Sequence, residues 1–428
     1  MPLNVYSEIG RLREVIVHAP GREVDCMPPE LMRQLLFDDI IHGARARQEH
    51  GQFVAILEAW GVSALDVQDL LRQAIDASGD GGRGLVDEVG DLEDVDPAAI
   101  EDLRALDSPA LAAALVEGLI APPEVMEPDY LFRLPPLPNL IFSRDAQAVI
   151  GDGVVIAAMS SRARQREPLL GRYVFRNHPR LRTERILADF LVRRPGRGNR
   201  PAFKPTLEGG DVLVFEEGVV LVGVSERTTE RAVDILAERL RALETFHTLI
   251  LVPLPRSRSV MHLDTIFTRI SADECLVHAP MVLPDGPETL SVIRIDLRQP
   301  GDWGRRHPSL LDALRTLGID LRPITCGGAG DYIRQAREQW TDGANSFAVA
   351  PGVLLLYSRN EGTAAELARS GYEVLAASEL EYAPDGRCVH RFAEGRKYAI
   401  LLPSEELSRA RGGPRCMTMP LVRDGAAG

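Results

Sequence analysis

One cysteine of this chain stands in the run Arg411-Gly412-Gly413-Pro414-Arg415-Cys416-Met417-Thr418-Met419-Pro420. Two glycines open backbone angles that other residues avoid, and Pro414 then sets one of them, so the run predicts a turn holding a thiol at the edge of a cavity. Arg411 and Arg415 are expected to favour the thiolate, the nucleophilic form. A surface Gly-Pro loop with an incidental cysteine would read the same way. Three further stretches put polar residues where strands should be ending: residues 137–145, 207–211 and 261–265. The last, Met261-His262-Leu263-Asp264-Thr265, predicts His262 and Asp264 on one face of a strand. Each stretch has an ordinary alternative. Glu208 and Asp211 are also what a turn-capping pair of acids looks like, His262 a core histidine, and Asp145 a partner for Arg144. Taken together they supply acids, one histidine and one thiol, the set needed for nucleophilic attack with general acid–base help.

The scaffold that must position these groups is large. At 428 residues the chain exceeds one ordinary single-core domain and suffices for a barrel-like body plus an insertion. Its formal net charge of −13 disfavours a nucleic-acid partner and suits a small cationic substrate. Cys26, Cys275, Cys326, Cys388 and Cys416 are odd in number and widely spaced, with no CxxC pair, which argues against a disulfide framework or a zinc-finger-type site and for a reducing cytoplasm. The first twenty residues carry Glu8, Arg11, Arg13 and Glu14 and do not read as a signal peptide. The apolar runs are too short to span a bilayer, so no membrane partner is expected.

Along the chain, residues 12–18 read as a strand, residues 28–49 have helical spacing, and residues 53–60 predict a second helix leading to a strand over 62–67. From about residue 68 to 126 Leu, Ala, Asp and Glu dominate, with capped helices predicted at 97–106 and 108–118. This reads as an inserted acidic helical bundle ending at the Pro-rich stretch 134–138. The body beyond it repeats itself. Residues 147–157, 211–224 and 347–357 each read as strand, glycine turn, strand, followed by a polar cap, an arginine and a helix. The turn glycines Gly153, Gly218 and Gly352 are 65 and 134 residues apart, which predicts another unit near residue 285, with residues 263–282 supplying its apolar runs. A repeat of about 65 residues suggests five to six modules closed around an axis; an open α/β sheet of similar hairpins is the alternative.

The residues then resemble a known family. Ser7-Glu8-Ile9-Gly10-Arg11-Leu12-Arg13-Glu14-Val15, the segments 35–39, 139–145, 206–211, 261–265 and 337–343, and Cys416-Met417-Thr418-Met419-Pro420 are similar to the arginine deiminases. These belong to a guanidino-modifying superfamily with amidinotransferases, dimethylarginine hydrolases and agmatine deiminases. The resemblance implies an α/β fold, a fivefold pseudo-symmetric α/β propeller of ββαβ modules with an inserted α-helical domain. The expected division is 1–67 and 131–428 for the propeller and 68–130 for the insertion.

It also implies a hydrolase converting L-arginine and water to L-citrulline and ammonia through a covalent thiouronium on Cys416. Asp145 and Asp264 would grip the guanidinium, since paired carboxylates suit a planar cation with five donors. His262 would protonate departing ammonia and then deprotonate water, and Glu208 would orient His262. Arg164, Arg227 and Arg411 match ligands of the substrate carboxylate, and Asn139 and Phe142 match further pocket residues. These acids are expected to raise the thiol until a guanidinium arrives. No metal or organic cofactor is implied, and a homo-oligomer (dimer or tetramer) is expected. An amidinotransferase, a deiminase of a related guanidino compound, and a non-catalytic guanidine-binding protein are the alternatives. The chain departs from the family at Ala410, where a glycine often stands, and in residues 381–403, an apparent extra segment that reads as a surface hairpin or a lid.

Overall fold

The computed structural model describes residues 3–127, 130–191, 205–215, 217–299, 301–302 and 304–425. Gln147–Ile150 and Gly153–Ile156 pair antiparallel, and Ile186–Asp189 joins the second strand in parallel. Four more sheets repeat this unit of an antiparallel pair with a parallel neighbour. Val212–Phe215, Val219–Val224 and Thr248–Pro253 make one. Phe267–Arg269, Glu274–Val277 and Arg322–Thr325 make the next. Phe347–Ala350, Val353–Tyr357 and Tyr398–Leu402 make another, extended by Glu373–Ala376. The remaining unit joins the two ends of the chain: Leu12–Val17 lies parallel to Ser63–Asp66 and antiparallel to Met419–Arg423.

A parallel neighbour requires a crossover, and in every unit a helix supplies it. The five are Gly43–Ala59, Arg166–Asn177, Glu230–Arg241, Leu310–Arg315 and Glu361–Arg369. Most central strands are buried along their length, which is why they read as unbroken apolar runs instead of alternating ones. Four further helices, Val67–Ala77, Arg83–Glu93, Pro97–Arg104 and Ser108–Glu117, precede the first of these hairpins. Asp66, Asp96 and Asp107 cap three of them by accepting from the N–H groups of Gln68, Ala99 and Ala110. Their apolar faces, with Leu71, Val86, Leu103 and Leu115, share one buried core with Val154, Leu170 and Phe175. Among the described residues no helix is long and apolar enough to cross a membrane.

Three expectations are corrected. Of residues 28–49, predicted as one helix, only those from Gly43 onward are α-helical. A short 3-10 turn, Pro29–Leu31, is followed by turns, and one helix then runs over Gly43–Ala59, through most of the stretch predicted as a second helix. Leu36 has φ +66°, and the Leu35 carbonyl accepts Nδ2 of Asn139 at 2.6 Å, so tertiary contact takes the backbone group a helix would have used. The unit expected near residue 285 turns at residues 270–273 instead. An excursion, Val292–Asp296 and Arg305–His307, adds two strands to the neighbouring sheet and makes the spacing uneven. Residues 381–403 are neither all extra nor a lid. Tyr398–Leu402 is a largely buried strand between Val353–Tyr357 and Glu373–Ala376. The part before it stacks Phe392 on Trp60, ring centroids 4.7 Å apart, and none of it lines the cavity described below.

The Gly43–Ala59 helix also holds the approach to the cysteine loop. Buried Glu49 accepts the backbone N–H groups of Glu405 (3.1 Å), Glu406 (3.2 Å) and Leu407 (3.0 Å). Glu49→Ala strands those donors and is expected to cost about 3 kcal/mol, seen as a lower urea midpoint with an unchanged slope. An unmoved midpoint would show that the anchor contributes nothing.

Candidate active site

The cysteine loop is shaped by close approach. A Cβ on Gly412 would meet Phe142 Cε1 at 2.2 Å and one on Gly413 would meet the Asn345 carbonyl at 2.6 Å, so glycine is required at both. Arg411 before them is left-handed, φ +65°. The Cys416 N–H donates to Asn345 Oδ1 (3.1 Å), and its carbonyl accepts the Arg144 N–H (3.0 Å). The Tyr357 hydroxyl donates to the Gly412 carbonyl at 2.8 Å. The buried thiol is thereby fixed, with Sγ 3.8 Å from Asp264 Oδ2. The same oxygen accepts from Arg415, whose other nitrogens bond Glu8.

Residues 263–265 form a 3-10 turn and not the predicted strand. Asp211 Oδ1 takes the Leu263 N–H at 2.9 Å, and the Thr265 hydroxyl donates to the His262 carbonyl at 2.6 Å. These bonds satisfy locally the groups that a strand ladder would pair. His262 Nε2 faces Glu208 Oε2 at 2.9 Å, and its Nδ1 lies 3.7 Å from Asp145 Oδ1. Glu208 is held from its other oxygen by the Ser160 N–H (2.9 Å). A Cβ on Gly210 would come within 2.6 Å of His262 Nδ1, so that glycine makes room for the ring.

One cavity of about 30 Å³ gathers these groups. Asp145, His262 and Cys416 line it, as do Asn139, Phe142, Arg164, Arg227 and Arg411. Glu208 and Asp264 stand behind, touching His262 and Cys416 respectively. Arg164 reaches Asp145 Oδ2 (2.8 Å) with one nitrogen and grips Glu167 with two others. Arg411 stacks on Trp340, its guanidinium carbon 3.2 Å from the ring centroid, and donates to the Arg258 carbonyl (3.2 Å). Arg227 is half-buried near Met261 Sδ (3.8 Å). On both Asp145 and Asp264, one oxygen is committed to a protein arginine and Oδ1 is buried without a hydrogen-bond partner. Sequence reasoning left Leu36 and Asp342, both lining the cavity, without a role, although the segments 35–39 and 337–343 had drawn attention. It also missed Glu8 and Glu167, whose only signal would have been a buried acid with an arginine to hold. Among the described residues, Asp145, Glu208 and His262 also have donor atoms close enough to surround a metal ion, within 4.8 Å of one another.

The charges set two protonation states in opposition. Burial works against a charged imidazole, but Asp145, the Glu208 hydrogen bond and Asp211 outweigh it and raise His262 to about 10. Burial would raise Glu208, yet its bond to His262 and that ring's charge bring it down to about 2. Cys416 moves the other way from the expected thiolate. Burial, then Asp264, Asp145 and Asp342, raise its thiol well above the ordinary value. The flanking arginines do not offset this, because Arg415 is neutralised by Glu8 and Asp264 and Arg411 lies against Trp340.

Because the folded value of His262 exceeds its unfolded 6.5, its stabilisation is complete below that pH and is lost as pH rises through about 10. Glu208, depressed from 4.5, stabilises above that pH, and its share is lost as pH falls through about 2. The pair therefore contributes fully between the two unfolded values. Glu208→Gln removes the charge and is expected to bring the His262 titration down, read from the ring carbon shifts of labelled histidine. A midpoint unchanged from the wild type would refute the pairing as the cause.

Comparison with known proteins bears on all of this. A family model described as arginine deiminase matches residues 33–423. An arginine deiminase of Clostridium perfringens is 35% identical over 445 residues, spanning 99% of this chain and 98% of that protein. One from Staphylococcus epidermidis is 33% identical over 440 residues, with 99% and 98% covered. Among solved structures, an amidinotransferase of the saxitoxin biosynthetic pathway from Microseira wollei superimposes with a TM-score of 0.51 at 17% identity, over 99% of this chain and 98% of that one. That likeness gives the α/β fold. The sequence matches, which run nearly end to end and include the cysteine loop, give the kinship: this chain belongs to the arginine deiminase family.

Proposed function

We propose that this protein hydrolyses L-arginine to L-citrulline and ammonia, with Cys416 as nucleophile. The observation that carries the reading is the pair of carboxylates, Asp145 and Asp264. Each is fixed by a protein arginine and each keeps one buried oxygen without a partner, on either side of the thiol and the His262–Glu208 pair. A planar guanidinium with donors on both edges supplies what those two oxygens lack. Its positive charge next to Sγ opposes the three acids that hold the thiol protonated, so the substrate helps to ionise its own nucleophile.

The thiolate attacks the guanidinium carbon and forms a C–S bond. The C–N bond to the leaving nitrogen then breaks, with His262 giving that nitrogen its proton, and a thiouronium remains. Water, deprotonated by His262, adds to the same carbon; the C–S bond breaks, the thiolate is restored, the new hydroxyl releases its proton to solvent, and citrulline leaves. Glu208 holds the ring through Nε2 across both steps. Arg227 and Arg411, with Arg164 above Asp145, meet the substrate carboxylate, and Asn139 and Phe142 complete the wall.

The same reading includes the finer architecture: five units closed around an axis as a pseudo-symmetric propeller, interrupted at residues 68–130 by a helical insertion. Support comes from the five repeated sheets, one of them made from both ends of the chain, and from the four helices between Ser63–Asp66 and the first hairpin. A cytoplasmic homo-oligomer, dimer or tetramer, belongs to this reading as well.

Arginine alone, with no added amine, is the deciding assay: ammonia and citrulline should appear together, whereas an obligate amidinotransferase would release neither. Cys416→Ser is expected to lose essentially all turnover while still binding arginine, since a neutral hydroxyl is a far weaker nucleophile than a thiolate. Retention of a tenth of wild-type citrulline formation would rule out the covalent route. Agmatine lacks the carboxylate that Arg227 and Arg411 would meet, so its kcat/KM should fall by about a hundredfold or more. Comparable efficiency on the two substrates would instead assign the protein to a related guanidino compound.

A further inference from the structure

Five non-glycine residues among those described have positive φ, and three of them, Leu36, Asp342 and Arg411, line the one cavity that holds Cys416. Backbone strain of this kind persists where surrounding structure enforces it and gathers at functional sites. Asp342 is the least explained. It is 4% exposed, with φ +63°. Its turn is closed by backbone bonds, from the Asp342 N–H to the Gln339 carbonyl (3.1 Å) and from the Asn345 N–H to the Asp342 carbonyl (3.0 Å). Those bonds need no carboxylate, and glycine would take the same angles without strain. Its Oδ2 is buried without a hydrogen-bond partner, and among the described residues no arginine, lysine or histidine lies within ion-pair distance of it. A buried carboxylate without a partner is costly, so its presence calls for one.

Among the charges that act on Asp342, that of Arg411 weighs most, and among those that act on Arg411, that of Asp342 weighs most. Arg411 has the opposite deficit in hydrogen bonds: Nε and Nη1 are buried without hydrogen-bond partners, and its nearest carboxylate oxygen at ion-pair range is Asp38 Oδ2, 3.8 Å from Nη1. A buried acid and a cation, both with unmet hydrogen-bonding atoms and not bonded to each other, thus share a cavity with Cys416. A zwitterionic amino-acid head, carboxylate and ammonium on one carbon, satisfies both at once. A simple anion would serve only Arg411 and a simple amine only Asp342.

We propose that Asp342 is a specificity-determining residue that accepts the free α-ammonium group of the substrate while Arg411 takes its carboxylate. This deepens the proposed function and rests on arginine being the substrate. It restricts the enzyme to guanidino compounds carrying both a free α-amine and a free carboxylate, and excludes Nα-acylated arginine and arginine within peptides.

Asp342→Asn tests it with little risk to folding, because asparagine tolerates left-handed backbone better than most residues and keeps the shape. The probes are L-arginine and 5-guanidinopentanoate, which has the carboxylate and guanidine but no α-amine. In the wild type L-arginine should be favoured. In the variant, the ratio of kcat/KM for L-arginine over that for 5-guanidinopentanoate should collapse by about tenfold to a hundredfold, the range of one charge-assisted bond, and the change should lie in KM for L-arginine. Dissociation constants measured in a Cys416→Ser background should show the same collapse without turnover. A ratio within threefold of the wild type, whether because both substrates lose equally or because neither changes, overturns the assignment. Failure of the wild type to form citrulline from L-arginine overturns the substrate itself, and the assignment with it, and is distinguished by appearing before any substitution is made.

Discussion

A single buried guanidinium holds the site together. Arg415, 1% exposed, gives Nε and one terminal nitrogen to Glu8 at 3.1 Å each, bonds the Val212 carbonyl at 2.9 Å, and turns its other terminal nitrogen to Asp264 at 2.8 Å. The residue before Cys416 thus ties together the start of the chain, a strand of the neighbouring sheet, the 3-10 turn after His262 and the cysteine loop. Removing so many charges from water is expensive, and the arrangement is tolerable only because each charge has an opposite one bonded to it. Glu8 also accepts the Val214 N–H at 3.0 Å, so little of its capacity is left unused. Loss of any one member would leave an uncompensated charge inside the protein. That is why the strand Met419–Arg423 and the segment before Leu12–Val17, hundreds of residues apart in sequence, have to meet beneath the thiol.

This fixed ionic floor separates two jobs that a catalytic loop could confuse. Arg415 looks in the sequence like an activator of Cys416, but its charge is spent on Glu8 and Asp264, and what reaches the sulfur is the excess of acid from Asp264, Asp145 and Asp342. The thiol is kept protonated and the imidazole charged by overlapping sets of carboxylates. An unreactive resting state follows from the same groups that would hold a cationic substrate. Under the proposed function, this arrangement protects the cysteine until a positive charge of the right shape arrives.

Much of this was legible in the residues. Gly-turned hairpins at 147–157, 211–224 and 347–357 are strands as read, because apolar β-branched runs around a glycine leave few other options. The polar residues flagged at strand ends meet around one cavity, Asp145 and His262 in its wall with Cys416, and Glu208 and Asp264 behind them. What could not be read is what depends on partners far away in sequence. The helical spacing before residue 43 is real, but Asn139 captures the Leu35 carbonyl. His262 and Asp264 alternate like strand residues, but Asp211 takes the Leu263 amide. The pairing of Glu8 with Arg415 spans 407 positions, and no local pattern announces it. Residues 398–402 looked like part of an addition and are a core strand, placed by pairing with Val353–Tyr357 and Glu373–Ala376.

Two acids in the cavity are held from ionising by burial: Cys416, raised well above the ordinary thiol, and Asp342, pushed up to about 7 against the opposing pull of Arg411. The other acids facing His262 and Arg415 have cations of the protein beside them. On the reading proposed here, the substrate brings two positive groups, a guanidinium to the sulfur and an ammonium to Asp342, and one negative group to Arg411. Each positive charge lands beside one of the two groups whose anionic form burial had disfavoured. Binding, ionisation of the nucleophile and recognition of the amino-acid head then become one electrostatic event. A ligand carrying the guanidinium alone would ionise the thiol but leave Asp342 unpaired, and one carrying the ammonium alone would pair Asp342 while leaving the sulfur inert. Selectivity and activation arise from the same physical condition, a low-dielectric cavity whose own charges are balanced everywhere except at the points the substrate fills.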